Sequence, residues 1–198
     1  MSTYLDRFYN TLFHPLQTFS RIASPETDGE KNHYLLEGVL TVILISAMAP
    51  ILHYALNGAS DGSMTRLLFS IPLYTVIGIL TWASIAFILG MMAYAYTGVL
   101  QLRTFLILSA YATLPWLFMC PLTLIKLSLG LSGELATIII GLMIWLWSVL
   151  LFALALKKSY ALSGDQVIII LLLPMILSFV SFAWTIGFFM NLIQLMPS

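Results

Sequence analysis

Three histidines, one serine in a glycine-flanked run and an isolated aspartate are the residues whose types invite a search for chemistry. His14, His33 and His53 have no metal-ligand spacing, so no metal site is expected. Ser132, in the run GLSG, has no later histidine to serve as its base, and the three earlier ones lie in a tail, a loop margin and a span end. Asp61 and Gly62 stand without the further carboxylates of a metal-dependent lipid phosphotransferase. No glycine-rich phosphate loop occurs. The sequence therefore assigns no catalytic residue and no cofactor, and the protein is not expected to be an enzyme.

The informative polar positions are those placed in or beside apolar runs. From Gln101 to Leu117 the chain reads QLRTFLILSAYATLPWL, a polar entry followed by an apolar run interrupted by Pro115. Proline has no N–H to give the carbonyl four residues earlier, here that of Tyr111. In hydrocarbon that group needs a partner from a neighbouring helix, a side chain or water, so the span is expected inside a bundle rather than facing lipid. Tyr111, Pro115 and Pro121 are the candidate interior polar and helix-breaking residues. Glu37, Arg103, Lys126 and Glu134 fall at the ends of apolar runs and read as boundary charges that snorkel or pair at the rim, Lys126 with Glu134 across their connection.

These residues must be held by elements that live in oil. The chain is 61% hydrophobic and 8% charged, against roughly 25% charged for a soluble domain. Eight Lys and Arg balance eight Asp and Glu, which leaves no basic field for nucleic acid. A single cysteine, Cys120, excludes an intrachain disulfide. The first thirty residues lack the pattern of a removable signal peptide, so the first span is expected to act as its own insertion signal.

The expected fold is all-α: a polytopic transmembrane helical bundle of five spans preceded by an N-terminal interfacial amphipathic helix. Residues 1–34 form a cytoplasmic tail and polar loop, and 35–198 the bundle, with spans near 35–56, 67–98, 104–126, 135–156 and 166–195. In the tail, Leu5, Phe8, Leu12 and Phe13 recur at helical spacing up to Pro15 and make a candidate partner-binding face at the headgroup boundary. Pro50 is expected to bend the first span, and an interfacial turn near Pro72 to shorten the second. Gly78, Ala86, Gly90, Ala93 and Gly141 allow close helix approach. The five tryptophans read mostly as packing, and Tyr94, Tyr96 and Tyr160 as belt residues. Counting cations on alternate sides gives Arg7, Arg21, Lys31, Arg103, Lys157 and Lys158 against Arg66 and Lys126, which puts the N-terminus in the cytoplasm and the C-terminus outside.

The segments FHPLQTF (Phe13 to Phe19), LRTFLILSAYATLP (Leu102 to Pro115) and YALSGDQVIIILLLP (Tyr160 to Pro174), in this order, resemble the prokaryotic branch of the Yip-domain family, five-span membrane proteins named after interactors of Ypt/Rab GTPases. The resemblance covers nearly the whole chain and carries over Pro15, Tyr111, Pro115, Ser163 and Pro174. It implies a helical bundle with a cytoplasmic N-terminus in a bacterial inner membrane. Where the eukaryotic branch has an Asp-Leu-Tyr-Gly-Pro motif before the first span, this chain has HYLLEGV, which puts GTPase binding in doubt.

Two functions follow as expectations. The first is a non-enzymatic membrane-organising or partner-recruiting scaffold, with the bilayer and a protein partner or second copy as its associates. The second is a small transporter or channel with a path at the proline-broken third span.

Overall fold

The computed structural model describes residues 4–24, 28–57, 63–174 and 176, and every element among them is a helix. Two short helices, α1 (Tyr4–Phe13) and α2 (Pro15–Ala23), come first. Pro15 opens α2, where its missing N–H is not needed. The turn between the two keeps its hydrogen bonds, His14 N to Asn10 O at 2.7 Å and Thr18 N to His14 O at 3.2 Å.

The long helices follow: α3 (Asp28–Asn57), α4 (Ser63–Thr97), α5 (Leu102–Ala112), a 3-10 turn (Leu114–Phe118) and α6 (Met119–Tyr160). A shorter apolar helix, α7 (Gly164–Pro174), begins the last run, whose remainder, including Trp184, lies outside the described residues. Among the described residues four stretches are long and apolar enough to cross a membrane: Gly29–Leu52, Leu67–Thr97, Leu102–Thr123 and Gly133–Tyr160.

Several expected boundaries move. α3 starts at Asp28, so Asp28 to Lys31, the second half of the expected polar loop Ser24 to Lys31, are its opening turn. α4 runs through Pro72 without ending a turn there, and at 1.5 Å per residue it is ~52 Å long, well beyond a hydrocarbon core of ~30 Å. Tilt or protrusion must absorb the difference. It stops where Gly98 takes a φ of +69°, which a residue without Cβ adopts freely, and the Gly98 N–H returns to Tyr94 O at 2.8 Å.

The connection expected between Lys126 and Glu134 is helical rather than a loop, yet the chain still reverses there. A Cβ on Gly141 would stand 3.8 Å from Met119 Sδ. In a straight helix those positions would be ~33 Å apart. Further along, Ser148 Oγ donates to Ala112 O at 2.8 Å, and Phe105 meets Tyr160 edge-on at 6.1 Å. α6 therefore folds back on itself, and its last part runs antiparallel to α5.

α5 is the centre of the bundle. Its Phe105, Leu108, Tyr111 and Ala112 are fully enclosed, in agreement with the interior position expected for the Gln101–Leu117 stretch. Lipid tails give no hydrophobic drive for helices to associate, so shape decides the contacts. Ala86 and Ala93 are fully buried, and Gly78 faces Ser46, Gly38 faces Ala110, and Gly90 faces Leu102 and Tyr160. The expected close approaches are there. The aromatic residues sort differently from expectation. Trp82 is buried and donates to Ser109 Oγ at 3.1 Å, whereas Trp116, Trp145 and Trp147 face partly outward; Tyr94 and Tyr96 are exposed, but Tyr160 is core. Indole is bulky, and among the described tryptophans the one opposite a small hydroxyl is the one taken inside.

Candidate functional site

α3 and α5 run side by side in the same direction, with Asn32 level with Arg103 and Glu37 level with Tyr111. Their starts lie at the end of the bundle that also holds the close of α6, since Phe105 meets Tyr160. α1 lies along the first half of α3 in the opposite sense, because Tyr4 reaches Thr41 and Arg7 reaches Glu37.

Glu37 is where the three helices meet. It is 7% exposed and, among the described residues, the one charged side chain that is buried. Arg7 holds it with two donors, Nε to Oε2 at 3.0 Å and Nη2 to Oε1. The Tyr111 hydroxyl donates to Oε2 at 2.6 Å, and His33 Nε2 stands 3.1 Å from Oε1, one helical turn earlier on α3. One turn later, Thr41 Oγ1 donates to Glu37 O at 2.8 Å, which leaves it to accept from the Tyr4 hydroxyl, also at 2.8 Å. The Arg7 guanidinium lies 5.3 Å from the centre of the Tyr34 ring, within cation–π range.

A fork of two N–H donors on a carboxylate is the strong form of this pair. With both oxygens engaged, Glu37 ties α1 to α3 and α5. Burial disfavours the charge on Arg7, but the Glu37 carboxylate outweighs it and raises the pKa above the usual arginine value. A folded-state pKa above the unfolded one stabilises fully below the unfolded value and loses that stabilisation only as pH rises through the folded one. Arg7 therefore stays charged across the neutral and mildly alkaline range.

Replacing Tyr111 with Phe removes one donor from a buried anion. A loss of about 1.5–3 kcal/mol is expected, read as earlier thermal unfolding in detergent by tryptophan fluorescence, with helical circular dichroism unchanged before the transition.

The other anticipated residues do not gather into one site. Glu37 was expected at the rim and is instead buried, because Arg7 and Tyr111 supply the donors that make burial tolerable. Arg103 is exposed and donates to Asn32 Oδ1. Glu134 is exposed, and the side chain of Lys126 lies outside the described residues, as do those of His53, Asp61 and Ser132. Pro115 is buried in the 3-10 turn, and Pro121 stands in the first turn of α6, where proline is tolerated. α5 ends at Ala112 before Pro115 can strip a carbonyl in mid-helix, and Ser148 caps the Ala112 carbonyl from α6. In the tail, Leu12 is core and Phe8 and Pro15 are half-buried, while Leu5 and Phe13 face outward. Among the described residues no group of three His, Cys, Asp or Glu could hold a metal ion.

Sequence reasoning missed Arg7, Tyr4, Thr41 and His33. The available signal was Arg7 itself, the only cation in the ten residues of α1, followed by a carboxylate placed just inside an apolar span.

The sequence profile of the Yip1 domain matches residues 9–185. The chain belongs to the Yip1 domain family. The match covers α5, the 3-10 turn and α6 entirely, and takes in Glu37 and Tyr111 of the buried cluster, while Arg7 precedes its first residue. Neither a curated protein nor a solved structure matches this Yip1 domain chain. The Yip1 assignment together with the apolar helices makes it an integral membrane protein.

Proposed function

We propose that this Yip1 domain protein is a non-enzymatic scaffold that organises the membrane or recruits partners to it, with the α1–α2 pair as its working surface. The observation that carries the reading is the fastening of α1 by Arg7, Glu37 and Tyr111. A short amphipathic segment that only rested on the membrane would need no buried ion pair, whereas one that must present a fixed face does. The enclosure of Tyr111 and its bond to Glu37 favour this over a transport path beside the broken third span.

The setting is a bacterial inner membrane with a cytoplasmic N-terminus. Supporting it, the level pairing of Asn32 with Arg103 and the contact of Phe105 with Tyr160 bring Lys31, Arg103, Lys157 and Lys158 to one end of the bundle, as positive-inside insertion requires.

Removal of residues 1–22 should change the set of proteins cross-linked in native membranes. Because that deletion also uncovers Glu37, the paired Leu5→Ser, Phe13→Ser protein, which leaves the ion pair intact, should reproduce the change. An unaltered set in both would remove α1–α2 from the role.

A further inference from the structure

His33 is the exposed member of the Glu37 cluster. Its side chain is 58% exposed, against 12% for Arg7 and 8% for Glu37. It belongs to α3, as Glu37 does, whereas Arg7 comes from α1. Nε2 of its ring stands 3.1 Å from Glu37 Oε1, the same oxygen that takes Arg7 Nη2, and 3.5 Å from that Nη2. A carboxylate only accepts and a guanidinium only donates. The contact with Glu37 therefore puts a hydrogen on Nε2, and ring and guanidinium meet as two donors on one acceptor oxygen. A further proton on the ring goes to Nδ1.

Charge decides what that proton does. With the ring neutral, guanidinium and carboxylate balance. With it protonated, a second cation stands beside Arg7, and both draw on a single carboxylate. The two cations are held differently. His33 and Glu37 are neighbours at i and i+4 of one helix, so they stay together whether α1 is docked or not. Arg7 reaches Glu37 only while α1 is docked. The repulsion between the cations thus falls on the docked state alone, and by linkage the proton favours the state without it. The charged groups to weigh are Arg7 and the adjacent, exposed Asp6 on α1, and Glu37, Glu30 and Lys31 on α3; α5 brings the Tyr111 hydroxyl, which bonds Glu37 Oε2. On release the ring parts only from those of α1. The sign follows from Arg7, and Asp6 is removed in one arm of the test.

We propose that His33 makes the fastening of α1 acid-sensitive: a proton on its ring lets the imidazolium replace Arg7 as the partner of Glu37, and α1 is released from α3. This goes beyond the scaffold reading and holds whatever the α1–α2 pair recruits.

The test is amide hydrogen exchange of the full chain in lipid nanodiscs, followed by mass spectrometry on the peptide covering Tyr4–Phe13 and corrected for the intrinsic effect of pH on exchange. A ten-residue helix that leaves its partners does not keep its own hydrogen bonds in water, so release is read as lost protection. Between about pH 8 and about pH 5.5, where histidine changes charge, protection of α1 should fall on the order of tenfold, the equivalent of one pH unit of linkage, while Leu102–Ala112 stays protected. His33→Gln keeps an N–H for Glu37 and takes no charge, so α1 should remain protected at both values. His33→Lys supplies a fixed cation and should release α1 at both. Asp6→Asn should respond as the parent does. Constant protection of α1 in the parent, an arm that needs no variant, overturns the proposal. A fall that persists in His33→Gln or vanishes in Asp6→Asn assigns the response to another group, and an α1 that stays protected in His33→Lys denies the cation its effect; each overturns it as well. Equal loss at Leu102–Ala112 marks general acid unfolding and has the same consequence. Unchanged helical circular dichroism at the higher pH establishes that each variant is folded.

Discussion

Glu37→Ala is expected to be the most damaging single replacement in this protein. It leaves the Arg7 guanidinium, whose side chain is only 12% exposed, without its carboxylate, and strips the Tyr111 hydroxyl of its acceptor. Breaking one side of a buried ion pair costs about 3–5 kcal/mol, because the remaining charge is stranded rather than because the pair was worth that much. The expected result is release of α1 from α3. Limited proteolysis should then cut within residues 4–23 while the rest of the chain stays protected, and the thermal midpoint in detergent should fall. Arg7→Met together with Glu37→Gln removes both charges and keeps an acceptor for Tyr111, so it should recover most of the loss. If Glu37→Ala leaves α1 as protected as in the parent, the cluster is not what holds it.

Gly78→Leu is the second large effect. A Cβ at this position would overlap the Ser46 hydroxyl and come within 2.6 Å of Ser46 Cβ, an atom fixed to the α3 backbone that no rotamer change can move away. α3 and α4 must separate to accept it. Overpacking of this kind costs roughly 1–3 kcal/mol, and in a bilayer, where close packing is itself the source of helix association, the upper end is expected. Thermal unfolding in detergent should start earlier, and Ser46→Gly in the same chain should restore part of the loss for Gly78→Ala but little for Gly78→Leu. Gly38 offers a comparison, since its added Cβ would lie 2.9 Å from Ala110 Cβ and 3.6 Å from Ile107 O on α5.

What could be read before the structure was whatever the solvent dictates. An apolar run in a bilayer has one economical answer, so the all-helical architecture, four long apolar helices among the described residues, and the central place of the Gln101–Leu117 stretch were legible from composition and from Pro115. The small residues at Gly78, Ala86 and Ala93 were legible for the same reason, since nothing else lets two backbones draw near. The boundaries were less so. Pro72 marks no break, because the rest of α4 satisfies itself on either side, and the segment around Lys126 and Glu134 keeps helical hydrogen bonds through a reversal that a turn-residue reading takes for a loop.

The buried cluster was half legible. Tyr111 stood out as an interior polar group and Glu37 as an acid near an apolar edge, but their meeting depends on α3 and α5 lying parallel, and no local pattern encodes that. Arg7 was hidden by the usual rule for amphipathic helices, which assigns the polar face to water. The helix obeys the spacing and inverts the assignment, because a carboxylate already inside the bundle is a better partner for a guanidinium than water at that depth.

That arrangement has a bearing on how the polypeptide is made. Arg7 precedes Glu37 by 30 residues, and Tyr111 follows it by 74. As the nascent chain leaves the ribosome, the carboxylate is handed to the lipid phase while its guanidinium companion is already synthesised and its phenolic one does not yet exist. Arg7 is thus on hand to neutralise Glu37 before Tyr111 is made, and the later helix completes the cluster.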